Sequence, residues 1–180
     1  MSFTFVHLRV HSEYSIADSI IRIPDFIKAI AAADMPAVAL TDQGNLFALV
    51  KYYKAALAAG IKPIIGADVQ IEAAGTKHGY APVVLLARNA IGYLNLKRLI
   101  TRSFVAGQRN GIPVISEEWL NAASADGLIA LSAGREGALG QYLLAGKQDV
   151  ARAWLVHQAA IFGGNFYVEL QRTGRPDEDA

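Results

Sequence analysis

The chain has 180 residues, a hydrophobic fraction of 53%, a formal charge of +1 and no cysteine. That is enough for one domain with a real core, and too apolar for a disordered tail. It excludes disulfides, thiolate metal sites and a global field that would draw in nucleic acid or an anionic membrane.

In chain order, residues 3–10 read as a strand rich in β-branched and aromatic side chains. Residues two apart on a strand share a face, so His7, Arg9 and His11 are expected to point the same way at its mouth. Two imidazoles there suggest a divalent metal. The guanidinium between them opposes one, because it is permanently charged. Pro24 opens a helix through residue 33, with Phe26, Ile27 and Ile30 inward. Residues 37–41 form a buried strand ending in the polar turn Asp42-Gln43-Gly44-Asn45. A helix over 46–59 closes on Gly60 as a left-handed cap. A strand over 61–71, a turn over 73–79 and a buried strand over 82–87 follow. Residues 91–106 are an amphipathic helix with Leu94, Leu96, Leu99 and Ile100 inward. Ser116 caps a short helix to residue 120. The remainder is a strand over 128–132, helices over 138–145 and 149–162, and a strand over 166–170. The polar stretch 172–180 reads as a connection toward a further element.

This alternation predicts an α/β fold with a parallel sheet and helices outside it. Ligands in such folds bind at the carboxyl ends of strands. The polar clusters 11–18, 42–45 and 66–68 all fall there, which points to one shared site. Plainer roles stand beside that reading. His11 can be a hydrogen-bonded core histidine, His7 a packing residue, and Asp42 and Asn45 turn or cap residues. Ser12, Ser15 and Gly44 can form an anion-binding turn. Lys97, Arg98 and Arg102 form a basic helix face that is solvated by default, and His78 and His157 are surface residues. No apolar run approaches the ~20 residues of a membrane helix. The start lacks a signal peptide's basic region and apolar core. These features fit a cytoplasmic protein with no membrane partner.

Residues 5–15, 41–45, 60–68, 84–89 with 92–96, and 169–176, in that order, resemble the N-terminal PHP (polymerase and histidinol phosphatase) domain of bacterial DNA polymerase III alpha subunits of the proteobacterial type. The resemblance covers residues 1–180 and implies a distorted TIM-like βα barrel, C-terminally incomplete in this chain. In metal-containing members, ligand positions fall on Arg9, His11, Asp18, Gln43, Asp68 and Pro82, with Asp42 beside Gln43. Arg9, Gln43 and Pro82 stand where the family carries histidines. The resemblance therefore implies a vestigial pocket with no metal expected, His11, Asp18 and Asp68 being its residual ligand candidates. Arg9 can pair with Asp18, Asp42 or Asp68 and imitate the electrostatic role of a metal. The parent protein is implied to be a magnesium-dependent DNA-directed DNA polymerase that meets DNA through its other domains. This fragment is implied to hold no cofactor and to be a non-catalytic scaffold for the proofreading exonuclease subunit. The alternatives are a residual metal-dependent phosphoesterase or 3′–5′ exonuclease, and a phosphate- or pyrophosphate-binding module.

Overall fold

The computed structural model describes residues 5–16, 18–171 and 174. Its strands are β1 (Ala37–Leu40), β2 (Lys62–Glu72), β3 (Tyr80–Ala87), β4 (Gln108–Arg109), β5 (Ile112–Ile115), β6 (Leu128–Leu131) and β7 (Phe166–Tyr167). Its helices are α1 (Ile23–Ala32), α2 (Leu49–Ala58), α3 (Ala90–Ala106), α4 (Ala122–Ala125), α5 (Ala138–Leu144) and α6 (Gln148–Phe162).

The strands form one sheet in the order β4-β5-β2-β3-β6-β7, with β1 beside the first half of β2. The sheet is mixed, not parallel as the alternation predicted. β2 pairs in parallel with β1 and β5, but antiparallel with β3, and β3 is antiparallel to β6. The cause is loop length. A parallel return needs a crossover of about a dozen residues. Residues 73–79 are too few, and the Thr76 hydroxyl ties them into a turn, donating to the Ala73 carbonyl at 2.7 Å with the Tyr80 carbonyl 3.2 Å away. Among the described residues the sheet is also open, ending on β4 and β7. The expected closed barrel is not seen in this span.

The expected first strand is an extended segment instead. Residues 7–10 run beside β1, accepting at the His7 and Val10 carbonyls from the amides of Ala39 and Thr41, both at 2.8 Å. Residues 3 and 4 of that expected strand lie outside the described residues, as does most of the stretch 172–180. A bend at Leu8 breaks the two-residue alternation, leaving His7 exposed while Arg9 turns inward. Leu94 corrects another expectation. It is 41% exposed, because residues two apart on a helix cannot share a face with Leu96.

Helices α3 and α6 cover one face of the sheet, burying Val69, Ile71, Val83, Leu85, Leu96, Leu99 and Phe162. Helices α1 and α2 pack Phe26, Ile27, Ile30 and Tyr52 on Val38 and Leu40. The Tyr52 hydroxyl donates to the Val38 carbonyl and accepts from the Ile64 amide, locking α2 onto β1 and β2. Burial pushes its phenol pKa up. The other face of β2, β3 and β6 carries Ile64, Leu86, Ile129 and Leu131 and opens into a cleft of about 590 Å³.

Gly66 allows a close approach of β2 to β3. A Cβ there would lie 2.6 Å from Leu86 Cδ2 and 2.7 Å from the Leu85 carbonyl oxygen. Gly66→Ala is therefore expected to destabilise the fold by about 1–3 kcal/mol through overpacking. Urea unfolding reads this, and an unchanged midpoint would contradict the close approach.

Candidate functional site

Arg9 and His11 leave the segment beside β1 and meet Asp68, in the middle of β2. The Asp68 backbone is held in place first. Its amide donates to the Asp42 carbonyl at 3.1 Å, and its carbonyl accepts from the Gly44 amide at 2.7 Å. The side chain then accepts three donors on one oxygen. Arg9 Nε lies 3.0 Å, Arg9 Nη2 2.5 Å and His11 Nε2 3.2 Å from Asp68 Oδ2. The third Arg9 nitrogen, Nη1, reaches Glu169 Oε1 at 3.3 Å and the Ala133 carbonyl at 3.5 Å. On the far side of the imidazole, Nδ1 lies 2.5 Å from Asp18 Oδ2.

The cluster joins the two basic groups to three carboxylates. The Asp68 side chain is 4% exposed and that of Arg9 20%. Burial alone would lower the pKa of Arg9, but Asp68 and Glu169 outweigh it and hold the guanidinium charged. Burial likewise pulls His11 down, while Asp68 and Asp18 carry its pKa above the ordinary value. With carboxylates on both ring nitrogens, imidazolium is the favoured form, each N–H donating. Asp68 Oδ1 and Glu169 Oε2 are buried and have no hydrogen-bond partner among the described residues.

Other residues singled out in the sequence take separate places. Asp42 is buried, but its partners are the Ser12 amide (2.6 Å), the Ser12 hydroxyl (2.8 Å) and the Ser15 hydroxyl (2.7 Å). The suspected anion-binding turn is thus filled by the chain's own carboxylate. Gln43 forms a bridge with Asp68 through its backbone and is itself exposed. Pro82 pairs with Gln70, two residues along the β3 face from Val84, the register partner of Asp68. It brings no polar side-chain atom. Asn45 donates to the Tyr14 and Gln43 carbonyls as a turn residue. His78 stacks on Tyr80, and His157 lies 3.4 Å from Glu117, both away from the cluster. Glu169 was not picked out from the sequence. Its signal was present, an acidic residue directly after the apolar run 166–168, as Asp68 follows the apolar start of its own strand.

A PHP-domain family model matches residues 7–173. The chain belongs to the PHP domain family. It is 46% identical over 179 residues to DNA polymerase III subunit alpha of Pseudomonas fluorescens, covering 99% of this chain and 15% of that protein. The corresponding subunit of Pseudomonas aeruginosa is 47% identical, again over 99% of this chain and 15% of its own length. Among solved structures, an amidohydrolase from Chromobacterium violaceum with bound sulfate and no metal aligns at a TM-score of 0.42 and 17% identity, over 84% of this chain and 54% of that one. That likeness is too low to bear on function.

The potential metal donors of this PHP domain are engaged with one another. A histidine ligand must offer a lone pair, and both His11 nitrogens are engaged by carboxylates. The Arg9 guanidinium sits on Asp68, where a cation would bind. Among the described residues no group of three or more His, Cys, Asp or Glu side chains is arranged to hold a metal ion.

The pH dependence of stability follows from His11. A pKa raised by folding contributes stability that is fully present below the ordinary value of 6.5 and is lost as pH rises through the folded value. The stability difference between wild type and His11→Gln should therefore shrink as pH rises from about 6 into the alkaline range. Denaturant unfolding across that range measures it, and a difference independent of pH would contradict the bridging imidazolium.

Proposed function

We propose that this PHP domain is a metal-poor structural module of a replicative DNA polymerase, serving to dock a proofreading exonuclease subunit. The observation that carries the reading is the Arg9 guanidinium on Asp68, which puts a fixed cation of the protein where a hydrolytic centre needs an exchangeable one. Its relatives are named as DNA polymerase III alpha subunits, and the chain spans 15% of their length. In this reading, template-directed synthesis and its magnesium belong to other domains of a cytoplasmic parent protein, which also supply the DNA contacts. No helix among the described residues is long and apolar enough to cross a membrane.

The fold supports a related proposal. Residues of the first segment and of the stretch at and after β7 line the 590 Å³ cleft, Phe5 and Leu8 from the one and Tyr167 and Leu170 from the other. Further strands of the parent polypeptide would fill it and close a barrel, covering apolar side chains that are costly to expose. The phosphate-binding alternative is weaker, because Arg9 would have to leave both carboxylates to grip an anion.

The test uses the full-length subunit purified without chelators. Zinc and manganese are expected well below one equivalent, and the exonuclease subunit should bind both wild type and a folded Arg9→Lys variant with affinities within about threefold. Stoichiometric metal lost on His11→Ala would reject the metal-poor reading. Absence of binding to the wild type would reject the docking role.

A further inference from the structure

A second apolar feature lies on the helical side of the sheet. Residues 44–50 and one stripe of α3 enclose a groove of about 520 Å³. The α3 stripe is Tyr93, Lys97, Ile100, Thr101, Phe104 and Val105, at helical spacing. Opposite stand Phe47 and Val50. Leu46 and Ile100 form the floor and pack against the main core. The rim is unusual for a free surface: Phe47 is 75% exposed, Val50 66% and Val105 81%. Large apolar side chains grouped in this way mark an interaction site more often than a plain surface.

The two segments that form the groove carry charge of one sign. Residues 44–58 and 89–106 carry Lys51, Lys54, Lys97, Arg98 and Arg102 and no Asp or Glu. Lys51 is paired with Glu13 at 3.1 Å, Lys97 lies over the Tyr93 ring and Arg102 over the Trp119 ring. Lys54, one turn from Val50, and Arg98, within two turns of Val105, have no ion pair among the described residues.

We propose that this groove docks an amphipathic protein segment whose apolar stripe is flanked by acidic side chains. The proposal rests on the docking reading above and places its contact on the α2–α3 surface. The apolar side chains enter between Phe47 and Val105, and the acidic flanks meet Lys54 and Arg98. A second copy of this chain fits poorly, because a two-fold contact would press identical cationic rims together. A nucleic-acid strand fits less well than a peptide, because among the described residues Lys97 is the sole charged side chain lining the groove, and strand binding draws on several phosphate contacts. The turn at Gly44 and Asn45 lines the groove and also adjoins Asp68, so the groove and the carboxylate cluster share a wall.

The test titrates the exonuclease subunit against the full-length polymerase subunit carrying Phe47→Glu, Val105→Glu, or Lys54→Glu with Arg98→Glu. Phe47→Ser and Val105→Ser serve as milder versions should a glutamate disturb folding. Each glutamate variant is expected to weaken binding at least tenfold with an unchanged unfolding midpoint, and the Lys54/Arg98 pair should also flatten the salt dependence. Wild-type binding matched by all folded groove variants would overturn the groove while leaving docking intact. No binding by the wild type would overturn both. Variants that spare exonuclease binding but dissociate a self-dimer, or lose binding to oligo-dT, would assign the groove to another occupant and reject the proposal.

Discussion

The arrangement of this domain depends on one buried carboxylate. Asp68 sits inside β2 with its backbone tied to the turn that follows β1, so it cannot swing out to water. An ionised carboxylate held there needs a cation. Arg9 and His11 meet that need from the segment running beside β1, and their other nitrogens draw in Glu169 and Asp18. Residues far apart in the chain, on the first segment, β2 and the stretch after β7, are thereby joined at one point. A guanidinium is well suited to this, because its donors are arrayed in a plane and its charge does not titrate away.

Such a centre is held together by charge and hydrogen bonds within the protein. Hydrolysis assisted by a metal requires open coordination positions and ligands with free lone pairs. In this cluster both His11 nitrogens donate to carboxylates, and one oxygen of Asp68 accepts from Arg9 and His11. Two carboxylate oxygens, on Asp68 and Glu169, remain buried without partners, so the network is not fully satisfied by the described residues. The domain also carries an apolar cleft beside Arg9 and an apolar groove along α3.

Much of this was legible in the residues. Helices announced themselves by Pro24, by Gly60 and by apolar spacing, and the turns after β1 and β2 by their polar residues. The direction of β3 was not read, because an alternation of strands and helices suggests parallel pairing unless the short connection 73–79 is weighed. The β4–β5 hairpin was missed although Asn110-Gly111, both at positive φ, is the dipeptide of a two-residue hairpin loop. In the cluster, three carboxylates stood open to Arg9. Local hydroxyls claim Asp42 and the imidazole claims Asp18, leaving Asp68, and only the tertiary fold decides among them. Glu169 was hidden for the same reason, being 160 residues from Arg9 in sequence.

The most direct measurement of the central claim is a double-mutant cycle on Arg9→Met and Asp68→Asn, read by denaturant unfolding. If the guanidinium is the built-in counter-ion of the buried carboxylate, Arg9→Met alone should cost on the order of 3 kcal/mol. The pair should show a coupling energy of about 1–3 kcal/mol. Effects that add to within about 0.5 kcal/mol would mean that the two groups do not depend on each other, and would contradict the account.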